Sequence, residues 1–187
     1  MTASNSSIII SVDPGEKRIG FCLFKYDEVA KKADLRTMVV VEGPSELYNL
    51  LRIAQGLGAR ILAVVCENYR IRPPDNPNPR SHNPYGRSQY GASTGISAKD
   101  FWSEALTIRV IGACEMFAQW VEAKFVVQEP KILTMGRLWC DFPVPKAPKG
   151  HIKDDVSAYI HGAHYMMGQG MIGSVSDIMK FGQEKMV

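Results

Sequence analysis

Three apolar, β-branched runs follow one another within the first 42 residues, and this succession narrows the possible folds more than any other feature: Ser7 to Asp13 (SIIISVD), Ile19 to Tyr26 (IGFCLFKY) and Leu35 to Glu42 (LRTMVVVE). The first stops at Pro14 and Gly15, and the charged stretch Lys31 to Asp34 separates the second from the third. Strands this closely spaced predict an antiparallel meander. The period then changes. Behind Pro44, with Ser45 as its N-cap, Leu47, Leu50, Leu51, Ala54 and Leu57 recur at helical spacing until Gly58. Arg60 to Tyr69 (RILAVVCENY) is nearly continuous apolar sequence, as a central strand covered on both faces is. A helix over Ala98 to Val121 and a strand over Lys124 to Gln128 follow. A last helix begins near His151 and carries Val156, Ile160, Ala163 and Met167 on one side, and the tail from Gly168 is weakly patterned. The prediction is an α/β fold with a central mixed five-stranded sheet flanked by helices.

Bulk properties bound the rest. A chain of 187 residues, 45% apolar, supports one sizeable core, so a single domain over 1–187 is expected. No stretch approaches the roughly 18 to 20 apolar residues of a membrane span, and Met1 to Ser7 is polar without a basic region, so a soluble, cytoplasmic protein is expected. Cys22, Cys66, Cys114 and Cys140 form no C-x-x-C pair, and three of them sit in apolar runs, which predicts buried thiols rather than a zinc site. A net charge of +3 neither demands nor excludes a polyanionic partner.

Acidic residues in apolar strands are the chemical signal. An Asp or Glu embedded there costs several kcal/mol unless it is paired or holds a cation. Asp13 closes SIIISVD, Glu67 closes ILAVVCE, and Asp154 and Asp155 open the last helix behind a basic, Pro-rich connection. Asp13 also suits an Asp-Pro-Gly turn, and Asp154 a helix N-terminus, where the dipole favours a carboxylate. Glu67 has no such structural use. Adjacent central strands would bring these acids together, and a set of converging carboxylates calls for a hard cation, Mg²⁺ or Mn²⁺.

In order and spacing, DPGEKRIG after the first strand, ENYRIRP after the fourth and HIKDD at the final helix resemble the motifs of RuvC-type Holliday junction resolvases, particularly phage versions. TIRVIGACEMFAQW followed by KFVVQEP is similar to the helix and strand between the second and third acidic motifs of that group. The resemblance covers roughly Ile8 to Met167. It implies an RNase H-like fold, a homodimer, two divalent metals per site and paired nicks across a four-way DNA junction, with the host cytoplasm as location if the gene is a phage's. Carried over by residue, it implies Asp13, Glu67 and Asp154 or Asp155 as catalytic metal ligands, and His151, three residues before Asp154, as a group near the metals or the scissile phosphate. Asp154 is preferred because residues three apart share a helix face. His82, His161 and His164 weigh less, since His161 and His164 lie a turn beyond the acids, where such residues usually line a helix surface. Another RNase H-like nuclease (ribonuclease H or transposase-like) and an inactive branched-DNA-binding module are the alternatives.

Two basic segments fit a DNA partner. The Pro-rich stretch from Arg70 to Ser97, expected to be a flexible loop, sets Arg70, Arg72, Arg80 and Arg87 against one acid and interleaves Tyr85 and Tyr90. Guanidiniums match phosphates, and tyrosine rings stack on unpaired bases at a branch point. Lys146, Lys149 and Lys153 lead into the acidic helix, where they would position phosphate beside the metals.

Overall fold

The computed structural model describes residues 6–15, 17–68, 98–133, 136 and 153–179, with side chains from residue 105 onward in the second helix. The first strands are β1 (Ser6–Asp13), β2 (Ile19–Asp27) and β3 (Lys32–Val41), and helix α1 (Pro44–Gly56) follows. Strand β4 (Arg60–Glu67), helix α2 (Ala98–Trp120) and strand β5 (Lys124–Gln128) come next. The chain then forms helix α3 (Asp154–Gly168), a 3-10 turn over Val175–Asp177 and a two-residue strand β6 (Ile178–Met179).

β1, β2 and β3 form the expected antiparallel meander, while β4 pairs parallel with β1, and β5 parallel with β4. The sheet order is β5-β4-β1-β2-β3-β6, with β2 antiparallel to both its neighbours. This is the expected five-stranded mixed sheet, extended by β6, which pairs parallel with β3. The weakly patterned tail thus holds an edge strand, too short for any sequence period to register.

Alternation along β1 sets the layers. Ile8, Ile10 and Val12 pack on one side with Leu47, Leu51 and Ala54 of α1 and Val110, Cys114 and Phe117 of α2. Ile9 packs on the other side with Phe24 and with Val156, Tyr159 and Ile160 of α3. Every one of these side chains is buried, and in β1 the two faces follow the period-2 pattern. Cys22, Cys66 and Cys114 are buried free thiols, and Cys140 lies outside the described residues.

Two local expectations change. The N-cap of α1 is Gly43 at φ 95°, with Pro44 in the first helical turn, so Ser45 lies inside the helix; a fixed proline φ suits that first turn. The described part of α3 starts at Asp154, and ten of its fifteen residues are buried, so it is covered well beyond a single apolar stripe. Among the described residues no helix is long and apolar enough to cross a membrane.

Candidate active site

Three neighbouring strands end in polar side chains at one edge. Because β1, β4 and β5 run parallel, their C-terminal ends lie together: Asp13 closes β1, Glu67 closes β4 and Gln128 closes β5. Val12 pairs with Cys66 one residue before the two acids, and Glu67 is the register partner of Gln128. The C-terminal edge of parallel strands is where open α/β sheets place their ligands. Alternation turns Asp13 and Glu67 toward the face that carries Ile9 and Val65, the face covered by α3.

α3 reaches the acids because a glycine leaves room. Gly20 is the register partner of Asp13, and a Cβ on it would stand 1.9 Å from the Asp154 carbonyl oxygen. The first turn of α3 therefore lies directly on backbone. A Cβ on Gly15 would stand 2.1 Å from the Arg18 carbonyl oxygen, so this turn too closes only around a glycine. Beyond it, Arg18 Nε lies 3.3 Å from Asp154 Oδ2.

Asp154, Ser157 and His161 stand three and four residues apart, on one stripe of α3. Ser157 Oγ donates to Glu67 Oε2 at 3.1 Å and is also a hydrogen-bond partner of Asp13. His161, with no solvent exposure, places Nε2 3.1 Å from the same Glu67 oxygen and Nδ1 2.8 Å from Gln128 Oε1. The strand ends and the helix are thus joined by a continuous polar network inside an otherwise apolar layer.

The electrostatics centre on Asp13. Burial first, and then the adjacent charge of Glu67, push its carboxyl from 3.8 up to about 8; the Asp154 charge adds to this, and the Ser157 hydroxyl opposes it. A carboxyl raised this far keeps its proton at neutral pH when no cation replaces it. Burial also raises Asp154, against the pull of Arg18 and with a push from Asp155. Asp155 differs from its neighbour: its Oδ1 accepts the Val156 N–H at 2.9 Å, and its carbonyl accepts the Cys22 thiol. It serves the helix terminus, where Lys153 offers no side-chain cap.

The structure therefore brings Asp13 and Glu67 together and sets Asp154 beside them. Among the described residues no three His, Cys, Asp or Glu side chains are gathered tightly enough to hold an ion as they stand, and Asp154 faces Arg18. The donor set nevertheless fits Mg²⁺ or Mn²⁺: all-oxygen, largely desolvated at Asp13, and holding on Asp13 a proton that a cation would displace. Arg18 is 62% exposed, and an exposed pair of this kind is worth about 1 kcal/mol or less, so freeing Asp154 is inexpensive. Lys153 is exposed at the N-cap of α3. His151, Arg70, Arg72, Arg80, Tyr85, Arg87, Tyr90, Lys146 and Lys149 lie outside the described residues.

Sequence reasoning missed Ser157, His161 and Gln128. His161 is not a surface residue, because α3 is buried nearly all round at this point. The stripe Asp154, Ser157, His161 within an apolar helix was the available signal.

Solved structures of Holliday junction resolvases are similar to this chain. Thermus thermophilus RuvC in complex with Holliday junction substrate is 10% identical, with 88% of this chain and 97% of that one covered at a TM-score of 0.48. The fowlpox virus resolvase with substrate Holliday junction DNA is 13% identical, with 87% and 98% covered at 0.49. The yeast mitochondrial Holliday junction resolvase is 10% identical, with 94% and 65% covered at 0.41. No protein-family model matches the chain, and no curated protein is significantly similar to it.

Proposed function

We propose that this chain is a divalent-cation-dependent endodeoxyribonuclease that cuts branched DNA, four-way junctions above all. One observation carries the reading: Asp13 and Glu67 meet in a largely desolvated strand-end site with a third acid, Asp154, close enough to raise Asp13 further. Such a cluster destabilises the fold it sits in unless a cation uses it. Asp13, Glu67 and Asp154 would hold Mg²⁺ or Mn²⁺, with Asp155 in reserve as a further ligand; the bound ions supply a polarised phosphate and an activated water. The chain itself contributes position. Asp13 and Glu67 are fixed by strand register, Asp154 by the seat of α3 on Gly20, and Glu67 is further tied by Ser157 and His161.

DNA recognition is assigned to Lys146, Lys149 and Lys153 beside the site, and to Arg70, Arg72, Arg80, Arg87, Tyr85 and Tyr90. His151 is assigned to the vicinity of the scissile phosphate. The protein would act in the cytoplasm, the host's if a phage encodes it. A two-fold symmetric junction needs two active sites related by a two-fold axis, so the active form is a homodimer. α2 is the candidate interface: Met116 and Trp120 are 73% and 62% exposed, and with Tyr48, Leu47, Val110 and Phe117 they line a cleft of about 370 Å³ against α1. Phe101 and Trp102 belong to the same helix. Light scattering at micromolar concentration is expected to give twice 20.8 kDa, and a strict monomer on junction DNA would refute the dimer.

Cleavage of a mobile four-way junction, a linear duplex and an RNA:DNA hybrid, each with Mg²⁺, Mn²⁺ or EDTA, tests the activity. The expected result is cation-dependent paired nicking of the junction. Preferential cutting of the hybrid would instead make the chain a ribonuclease H-like enzyme, and binding without any cutting would make it a binding module.

A further inference from the structure

We propose that His161, held by Gln128, is a positioning residue that commits one oxygen of Glu67 to the protein and leaves the other for the cation. The inference rests on the reading of Asp13, Glu67 and Asp154 as cation ligands and adds a determinant of how tightly, and which, cation is taken.

Glu67 closes β4 and has two carboxylate oxygens. Oε2 receives two groups from α3, the Ser157 hydroxyl and His161 Nε2, each at 3.1 Å. A carboxylate is an acceptor, so the imidazole meets it through Nε2–H. Two such bonds fix the rotation of the carboxylate and occupy Oε2, which directs ligation to Oε1. The ring is itself held, since Nδ1 lies 2.8 Å from the side chain of Gln128, the register partner of Glu67 on β5. An amide presents a donor or an acceptor according to its flip, so Gln128 can complement whichever Nδ1 state the Nε2–H bond requires. Gln128 is 8% exposed and His161 not at all, so water has little access to the imidazole that makes both bonds. The chain of contacts runs from one strand end, through the helix, to the neighbouring strand end, and it fixes Glu67 relative to α3 and β5 independently of any cation.

A one-oxygen ligand suits the octahedral demand of Mg²⁺, whereas Ca²⁺ accepts two-oxygen carboxylates and looser geometry. Releasing Glu67 should therefore weaken Mg²⁺ and narrow the preference for Mg²⁺ over Ca²⁺. Hydrogen-bond partners behind metal ligands typically govern affinity by roughly 10- to 100-fold.

The test is calorimetric titration of the DNA-free full chain with Mg²⁺, Mn²⁺ and Ca²⁺, with the melting temperature and four-way junction binding in EDTA measured alongside. H161A is expected to weaken Mg²⁺ and Mn²⁺ at least about tenfold, and Ca²⁺ less. H161Q, which restores an N–H near the position of Nε2, should recover most of this, and junction binding in EDTA should be unchanged. Q128L keeps the volume, frees the ring, and should give an intermediate loss; it carries the test if H161A does not fold. Wild-type Mg²⁺ and Mn²⁺ affinities in a folded H161A or Q128L overturn the positioning role alone. No cation binding by the wild type, with D13N as its reference, overturns the cation site itself and this inference with it.

Discussion

The two faces of the sheet are built from the same strands and do opposite things. On the α1 and α2 side, Ile8, Ile10, Val12, Phe21, Leu23 and Val64 pack into one apolar cluster with both helices. On the α3 side the same strands interpose Ser11, Asp13 and Glu67, and Gln128 joins them from β5, opposite Ser157 and His161. Burying that many polar groups is destabilising unless each is satisfied, and the network at the strand ends satisfies most of them while leaving Asp13 where a charge is disfavoured, so that it keeps its proton. Both faces carry an apolar core, but among the described residues the α3 face also buries this polar network at the strand ends. Moving a substitution from one face to the other should therefore move the effect between stability and chemistry.

The largest expected effect lies at the strand ends. Asp13→Asn or Glu67→Gln should lower cation-dependent junction cleavage by about a thousandfold or more, since cation assistance is worth several kcal/mol in the transition state. Junction binding should be unchanged or tighter, because a negative charge is removed beside the phosphates. Full Mg²⁺-dependent cleavage by either variant would sink the assignment.

Next in size is the pH dependence of stability. In the cation-free native state Asp13 keeps its proton up to about pH 8, whereas the unfolded chain releases it near the ordinary 3.8. The native state therefore binds more protons across this window, and its stability falls as pH rises, by at most about 1.4 kcal/mol per pH unit, levelling above about 8. Asp13→Asn should flatten this contribution, and Mg²⁺ should offset it by replacing the proton. Chemical denaturation in EDTA from pH 5 to 8.5 checks the sign. A wild-type stability that rises through this window no less than that of the variant contradicts the buried-charge account.

The opposite face supplies the contrast. Ile10→Val, a fully buried position packed toward α1 and α2, should cost about 1 kcal/mol of stability. Cation affinity and cleavage per folded molecule should be unaffected. A change in cation affinity as large as that of H161A would mean that the two faces are not separable.

Much of this division is visible in the sequence, and the missing part has a physical cause. Strand ends are legible because a carboxylate after SIIISV or ILAVVC breaks a strong pattern. Ser157 and His161 are harder to read, because helical spacing alone does not say that a helix is covered on more than one side, and a histidine on an amphipathic helix is ordinarily solvated. Gln128 carries no signal of its own; its role exists only once β5 lies in register with β4. Gly20 is likewise silent until strand pairing sets it opposite Asp13 and α3 descends on it. The choice between Asp154 and Asp155 needed side-chain hydrogen bonds: one acts on Asp13, the other caps its own helix.

The smallest expected effect separates the faces by charge rather than packing. Lys153 is exposed at the N-terminus of α3, beside the acids, while Arg52 is exposed on α1 across the sheet. If DNA approaches along the α3 side, Lys153 meets phosphate and Arg52 does not. Removing one cation from a phosphate lowers the magnitude of the logarithmic salt slope by about 0.9 on duplex DNA. Lys153→Ala should therefore weaken junction binding a few-fold near physiological salt and flatten the slope by about that amount. Arg52→Ala should leave both unchanged, because at about 0.15 M salt an exposed charge more than about 8 Å from a phosphate is largely screened. The measurement is junction affinity in EDTA over a series of salt concentrations, which keeps cleavage out of the readout. Equal slopes for the two variants would remove the α3 end from the DNA path and leave recognition to the Arg-rich segment, where replacing Arg72, Arg80 and Arg87 together would then have to account for the whole salt dependence.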